Sequence, residues 1–325
     1  MRFGIIGTNW ITESFIAAAS EVEGFTLTAV YSRTHDRAEE FASKYGVDHI
    51  YTDLNEFASS DKFDAVYIAS PNSLHKEQAI LCMENKKHVL CEKPMASNTR
   101  EIQEMVHVAK KRNVLLMEAL KTTYLPNFLA IRENLHKIGN IRRYTASYCQ
   151  YSSRYDKYKE GVILNAFKPE FSNGSLMDIG IYTIYPMVVL FGAPSEIKAQ
   201  AVMLESGIDG QGTVLFEYPG MEAVITHSKI VNSYMPAEIQ GEEGTMVIDK
   251  IHTPEKVQII YKDGTSEDIT VSQKTNSMYY EATEFMNLVQ NGELEPTINN
   301  FANSLTTHRI LEEVRNQIGL IYPAD

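Results

Sequence analysis

The chain has 325 residues, 42 acidic against 30 basic, for a formal net charge of −12. At roughly 100–200 residues per domain, that length accommodates two domains, each able to bury a core. With 44% hydrophobic and 22% charged residues it reads as a globular chain, not a disordered one. The acidic surplus argues against a nucleic-acid partner and against docking on an anionic membrane, since both need a clustered basic face.

No apolar run approaches the roughly 18–20 residues that cross a bilayer, so no membrane span is expected. Met1 to Gly7 reads as a strand entering a glycine turn, unlike a secretory signal. Cys82, Cys91 and Cys149 are odd in number and far apart, which points to a reducing, cytoplasmic location. The nine histidines form no ligand-spaced set, so no metal site is expected.

From residue 1 to about 120, apolar runs at 2–6, 26–31, 64–69, 88–91 and 114–118 alternate with helix-period segments at 11–20, 36–45, 75–85 and 99–111. In the last segment Ile102, Met105, Val106 and Ala109 share one helix face. Continuous apolar strands alternating with helices imply parallel pairing through crossovers. Residues 1–120 are therefore expected to form a Rossmann-type, doubly wound α/β domain. The clusters Lys86-Lys87 and Lys110-Lys111-Arg112 read as solvated cations on helix C-terminal dipoles.

Residues 121–325 have a different texture. A helix is expected at 126–136, a strand at 141–151, a helix at 175–191, mostly strands from 195 to 271, and helices at 277–290 and 301–318. Tyr218-Pro219-Gly220-Met221 is a type II turn signal, and Lys262-Asp263-Gly264-Thr265 a two-residue hairpin signal. Such short connections join antiparallel neighbours, so the second domain is expected to be α+β with a largely antiparallel open sheet. Tyr144 and Tyr148 share one side of their strand, as core under helices or as a subunit interface.

Several strand ends carry candidate chemistry. After the first strand, Gly7, Asn9 and Thr12 occupy the three positions of a G-x-G-x-x-G/A turn, whose helix N-terminus suits a pyrophosphate. Asn tolerates left-handed backbone, which would let the turn survive its missing second glycine. The second strand ends in Ser32, Arg33 and Thr34, with Arg37 one turn on, where an acidic residue would mark a ribose 2′-hydroxyl. That favours NADP over NAD. Ser70-Pro71-Asn72 ends the run at 64–69 and leads to His75, near a helix start, where a histidine usually packs or caps. Glu92-Lys93-Pro94 lies at the carboxyl end of a central strand.

Taken together, Ala69-Ser70-Pro71-Asn72 with His75, Cys91-Glu92-Lys93-Pro94, Met117-Glu118-Ala119 and Ser175-Leu176-Met177-Asp178-Ile179-Gly180-Ile181-Tyr182 resemble the signature blocks of the glucose–fructose oxidoreductase/inositol dehydrogenase (Gfo/Idh/MocA) family. Ile239, Gly241 and Gly244 resemble a later turn, and the likeness is greatest to the dihydrodiol dehydrogenase-like branch. The resemblance spans nearly the whole chain. It implies an NAD(P)-dependent oxidoreductase acting on a polyhydroxylated or carbonyl substrate, with a homodimer or homotetramer formed through the second domain's sheet.

The resemblance also implies catalytic roles for Lys93, Asp178 and Tyr182. Asp178 and Tyr182 are four apart, on one face of a helix that Pro186 should bend. Either Tyr182 carries the proton while Lys93 polarises the substrate oxygen, or the two roles are exchanged. Candidate cofactor contacts are Gly7, Thr8, Asn9, Trp10, Ile11, Ser32, Arg33, Thr34, Arg37, Ser70, Pro71, Asn72, His75, Glu92, Lys93 and Glu118. Lys121 and Thr123 stand where similar enzymes have Trp and Arg, and Asn173 where they have Gly, so substrate identity does not carry over. The alternative from another class is a catalytically silent cofactor-binding regulator.

Overall fold

Six strands, β1 (Arg2–Ile6), β2 (Thr26–Tyr31), β3 (His49–Tyr51), β4 (Ala65–Ile68), β5 (His88–Glu92) and β6 (Leu116–Ala119), build the first sheet of the computed structural model, which describes residues 1–325. Helices α1 (Trp10–Ala19), α2 (His35–Tyr45), α3 (Leu54–Ser59), α4 (His75–Glu84) and α5 (Thr99–Arg112) make the crossovers. Every pairing is parallel and the order is β3-β2-β1-β4-β5-β6. Phe3, Ile5, Val66, Tyr67, Leu90 and Met117 are fully buried, each such side chain contributing about 1.5–3 kcal/mol.

The order reverses between β1 and β4, the place where open α/β sheets receive ligands. Register brings the strand ends level: Ile6 pairs with Tyr31 and Ile68, Ile68 with Cys91, and Cys91 with Glu118. One lysine departs from expectation. Lys87 is buried, and its ammonium donates to the carbonyls of Ser60 and Phe63 instead of lying in solvent. A buried cation needs such acceptors, and these are two loop carbonyls within reach.

The second sheet has eight strands. After α6 (Pro126–Asn134) come β7 (Ile141–Cys149), α7 (Tyr155–Lys159), α8 (Ile181–Phe191), β8 (Glu196–Met203), β9 (Asp209–Tyr218), β10 (Met221–Ser228), β11 (Ala237–Gly241), β12 (Gly244–Ile248), β13 (Val257–Tyr261) and β14 (Ser266–Asp268). Their order is β14-β13-β12-β11-β7-β10-β9-β8, antiparallel except for the parallel pair β10 and β7. Tyr144 is core: it is fully buried and its hydroxyl donates to Thr183 O at 2.9 Å. Gly220, at φ +80°, turns β9 into β10. The 262–265 hairpin forms with a four-residue loop instead of two, closed by Gly264 N–H on Tyr261 O at 2.9 Å.

Two compact units result, but not as consecutive stretches of chain. The first is Met1–Lys121 with Lys274–Phe301, the second Thr122–Gln273 with Ala302–Asp325. Helix α9 (Met278–Gln290) therefore belongs with the first unit, and most of α10 (Phe301–Ile318) with the second. The reason is packing: the Phe285 ring lies 5.7 Å from that of Phe3, and Asn276 Nδ2 donates to Ser14 O at 2.9 Å. One further expectation is corrected, because the segment Pro169–Phe191 is long and apolar enough to cross a membrane. Its most apolar window is 72% buried within the protein, as a core segment is.

Helix α8 begins irregularly. Residues Leu176–Gly180 form a π-helical turn where a continuous α-helix was expected; such turns cluster at functional sites. Buried polar groups hold it. Asp209 Oδ2 accepts from Leu176 N–H at 2.7 Å, and His227 Nδ1 meets the Ser175 hydroxyl at 2.9 Å. Gly174 sits at φ +145°, where a Cβ would overlap the Asp209 carboxylate. Burial pushes the Asp209 carboxyl up to about 7 and His227 down to about 3.

Asp209 Oδ1 has no hydrogen-bond partner, which suits a protonated carboxyl. The folded protein then holds, from about pH 4 to about pH 7, a proton that the unfolded chain releases. Its stabilising effect is complete at the acid end and is lost as pH rises, by about 1.4 kcal/mol per pH unit. In urea unfolding, the native protein is expected to lose stability relative to Asp209→Asn as pH rises from about 5 to about 7. Parallel pH dependences would show instead that Asp209 is ionised in the fold.

Candidate active site

The turn after β1 depends on two residues. Gly7 has φ +103°, and a Cβ there would collide with Ala69 O at the end of β4. Asn9 is extended (φ −113°), not left-handed as expected, and it acts as the N-cap of α1. Its Oδ1 accepts from Ile11 N–H at 2.9 Å and Thr12 N–H at 3.4 Å, while Nδ2 donates to Ala69 O at 2.8 Å. The side chain thus ties the start of α1 to the end of β4. It also engages the Ile11 N–H that was a candidate cofactor donor. The Thr12 hydroxyl is buried against Gly7 O.

Around this turn, Thr8 is half-exposed and Trp10 is 67% exposed. Arg37 reaches Thr8 O at 2.9 Å and pairs with Glu40, so it braces the turn from α2. Ser32 is half-exposed, and Arg33 and Thr34 are exposed, at the end of β2. That strand end carries hydroxyls and a guanidinium with no acid among them, a donor set fitted to a phosphate.

Three candidate cofactor contacts also bond to backbone groups. His75 is fully buried; Nδ1 lies 3.0 Å from Pro94 O and Nε2 2.9 Å from Ser70 O. The ring sits between the turn after β4 and the turn after β5, and burial holds its pKa below the usual imidazole range, so the single N–H of the neutral ring donates to one of the two carbonyls. Glu118 is buried and accepts from Met95 N–H at 2.9 Å. Glu92 turns into the core, where it accepts from the Tyr67 hydroxyl and, at 3.2 Å, from Lys93 N–H. Burial raises its pKa, against the opposing pull of the Lys93 cation. Ser70 donates to Gln78 at 2.6 Å, and Pro71 leads into the short 3₁₀ turn Asn72–Leu74.

Sequence reasoning missed Glu281 of α9. It is fully buried, neither carboxylate oxygen has a hydrogen-bond partner, and burial followed by the nearby Glu92 drives its pKa well above the usual range. Lys121, the departure from Trp, opposes that rise. Lys93 itself is half-buried, beside a cis peptide to Pro94.

In the second unit, Asp178 lies in the π-helical turn and Tyr182 in α8, both partly exposed. Two neighbours here carried no motif signal. Lys229, just after β10, is buried and donates to Asp178 Oδ2 at 2.7 Å. Tyr148 meets the Tyr182 ring edge-on at 5.8 Å and stacks on His252 at 3.8 Å. Tyr148 therefore supports a candidate catalytic side chain, a role outside both sequence readings. Thr123, the departure from Arg, is buried. No group of three or more His, Cys, Asp or Glu side chains converges to hold a metal ion, and the cysteines are free.

Comparison with known proteins adds the family. Residues 1–120 match the Gfo/Idh/MocA oxidoreductase family with its NAD-binding Rossmann fold, and residues 129–247 match a Gfo/Idh/MocA C-terminal domain. Scyllo-inositol 2-dehydrogenase (NADP(+)) IolU of Bacillus subtilis is 60% identical over 325 residues, covering 100% of this chain and 99% of that protein. Trans-1,2-dihydrobenzene-1,2-diol dehydrogenase of Mus musculus is 31% identical, covering 100% and 99%. The crystal structure of an aldose-aldose oxidoreductase from Caulobacter crescentus superposes with a TM-score of 0.86 at 20% identity, covering 98% of this chain and 97% of that one. The chain belongs to the Gfo/Idh/MocA family and is an NAD(P)-dependent oxidoreductase acting on CH–OH groups.

Proposed function

We propose that this enzyme is a cytoplasmic, NADP-preferring dehydrogenase of a cyclic polyol of the inositol class. The observation that carries the reading is the 60% identity, end to end, with a scyllo-inositol 2-dehydrogenase that uses NADP(+). Ser32, Arg33 and Thr34 support the cofactor preference, because an acid at the end of β2 would repel a 2′-phosphate. The turn at Gly7 and the N-terminus of α1 would hold the pyrophosphate, and Arg37 keeps that turn in shape.

Bound NADP supplies the hydride acceptor. The chain's own groups handle the proton and the oxygen. In the proposed division, Tyr182 Oη takes the proton of the reacting hydroxyl, and the Lys93 ammonium stabilises that oxygen as negative charge develops. Asp178, with Oδ2 held by Lys229, accepts a hydrogen bond from a substrate hydroxyl. Glu92 and His75 serve by fixing the two turns that flank Lys93.

Scyllo-inositol with NADP is expected to be turned over, while Lys93→Met and Tyr182→Phe each lose roughly a hundredfold or more in kcat with the fold intact. Near-normal turnover by both folded variants would remove these assignments. Arg33→Ala is expected to raise KM for NADP roughly ten- to hundredfold and leave KM for NAD nearly unchanged. Equal effects on both cofactors would place Arg33 away from the 2′-phosphate.

Self-association through the open sheet is part of the same reading. Leu215 is 49% exposed and pairs with Val224 on the face turned away from the buried Val214 and Ile225. Sedimentation is expected to show a dimer or tetramer that Leu215→Arg converts to monomer. A monomeric native protein would overturn this.

A further inference from the structure

Lys229 is an ammonium placed where solvent does not reach it, with its side chain 5% exposed, against 37% for its partner Asp178. Such a cation is tolerated only when its hydrogen bonds are satisfied inside the protein. Nζ donates to Asp178 Oδ2 at 2.7 Å and to Ala166 O at 3.3 Å, and it sits 5.3 Å from the centre of the Phe167 ring. The backbone of Lys229 is pinned on both sides. Its N–H donates to Gly210 O at 2.9 Å, and its carbonyl accepts from Ser152 N–H at 2.9 Å. The ammonium is thus delivered from beneath by the sheet to a carboxylate that opens outward.

Asp178 lies in the π-helical turn, the least regular part of its helix, where a side chain is not oriented by the regular α ladder. A charge-assisted bond to a rigid, desolvated cation supplies that orientation and favours the ionised carboxylate. The other titratable groups nearby are Asp209, on which Lys229 also acts, and His227, neutral through burial. Both bond into the Ser175–Leu176 stretch, while Lys229 bonds to Asp178.

We propose that Lys229 is a positioning residue for the reaction: from inside the second unit it holds the Asp178 carboxylate as an oriented anion toward a substrate hydroxyl. The inference rests on the catalytic reading of Asp178 above. Removing the cation removes the charge-assisted bond that orients the carboxylate.

The experiment is a double-mutant cycle in the full-length enzyme with NADP and scyllo-inositol. Lys229→Met is expected to lower kcat/KM for the polyol roughly ten- to hundredfold, with the dissociation constant for NADPH, read by fluorescence, unchanged. In an Asp178→Asn background the same substitution should cost little more, and Lys229→Arg should restore most of the loss. If Lys229→Met fails to fold cooperatively, Lys229→Gln takes its place, since an amide can fill the site without charge.

The outcomes separate. Asp178→Asn with normal turnover ends the catalytic reading of Asp178 itself. Asp178→Asn impaired with Lys229→Met at native activity overturns the role of Lys229 alone. An equal loss from Lys229→Met in both backgrounds, unrelieved by arginine, would also overturn it, by showing only structural damage.

Discussion

The close approach of β1 and β4 is the constraint on which the first unit depends. Parallel neighbours bring their carboxyl ends level, and here Ile6 and Ile68 face each other as the last paired residues of their strands. Beyond them the chain must leave in two directions within the space of a few atoms. Gly7 permits this by lacking a Cβ that would strike Ala69 O. Asn9 completes it by bonding to that same carbonyl while capping α1. The His75 ring fills the space between the turns after β4 and β5, with a nitrogen within 3.0 Å of a carbonyl from each. Lys93 stands on a platform whose polar groups are already engaged with one another.

The second unit solves a related problem with buried charge. A π-helical turn departs from the regular α ladder, and its polar groups need other partners. Asp209 and His227 reach it from the sheet, and Lys229 reaches the one carboxylate that looks outward. Removing a member of such a network leaves a desolvated polar group unpaired, which costs more than the bond itself contributes. The arrangement therefore resists drift of Asp178 and Tyr182 away from their place.

Most of the architecture was legible in the chain. Continuous apolar runs and helical periods gave the doubly wound sheet, with β3 and α3 the exceptions. Three residues of strand and six of helix are too short for a period to declare itself. The motif blocks pointed to Lys93, Asp178 and Tyr182, but the supporting side chains were out of reach. Lys229, Asp209 and Glu281 are separated from the motifs by tens of residues, and only folding reveals them as partners. Nor did the motifs reveal that Glu92 accepts from the Tyr67 hydroxyl or that Glu118 accepts from Met95 N–H. Proximity to a cofactor motif marks a residue as important without saying whether it faces a ligand or the backbone behind it.

The return of α9 to the first unit bears on how such an enzyme can be divided. Because Lys274–Phe301 packs with Met1–Lys121, residues 122–273 are an insertion into a nucleotide-binding unit, not an appended domain. A fragment cut after residue 120 would uncover Phe3 and leave α1 without the partner that contacts Ser14. The natural modular boundary is a set of three cuts. An exchangeable cassette carrying Asp178, Tyr182 and Lys229 would enter and leave near Thr122 and Gln273, and it would still need α10 supplied from beyond α9. Chimeras between relatives should therefore be designed with three junctions instead of one.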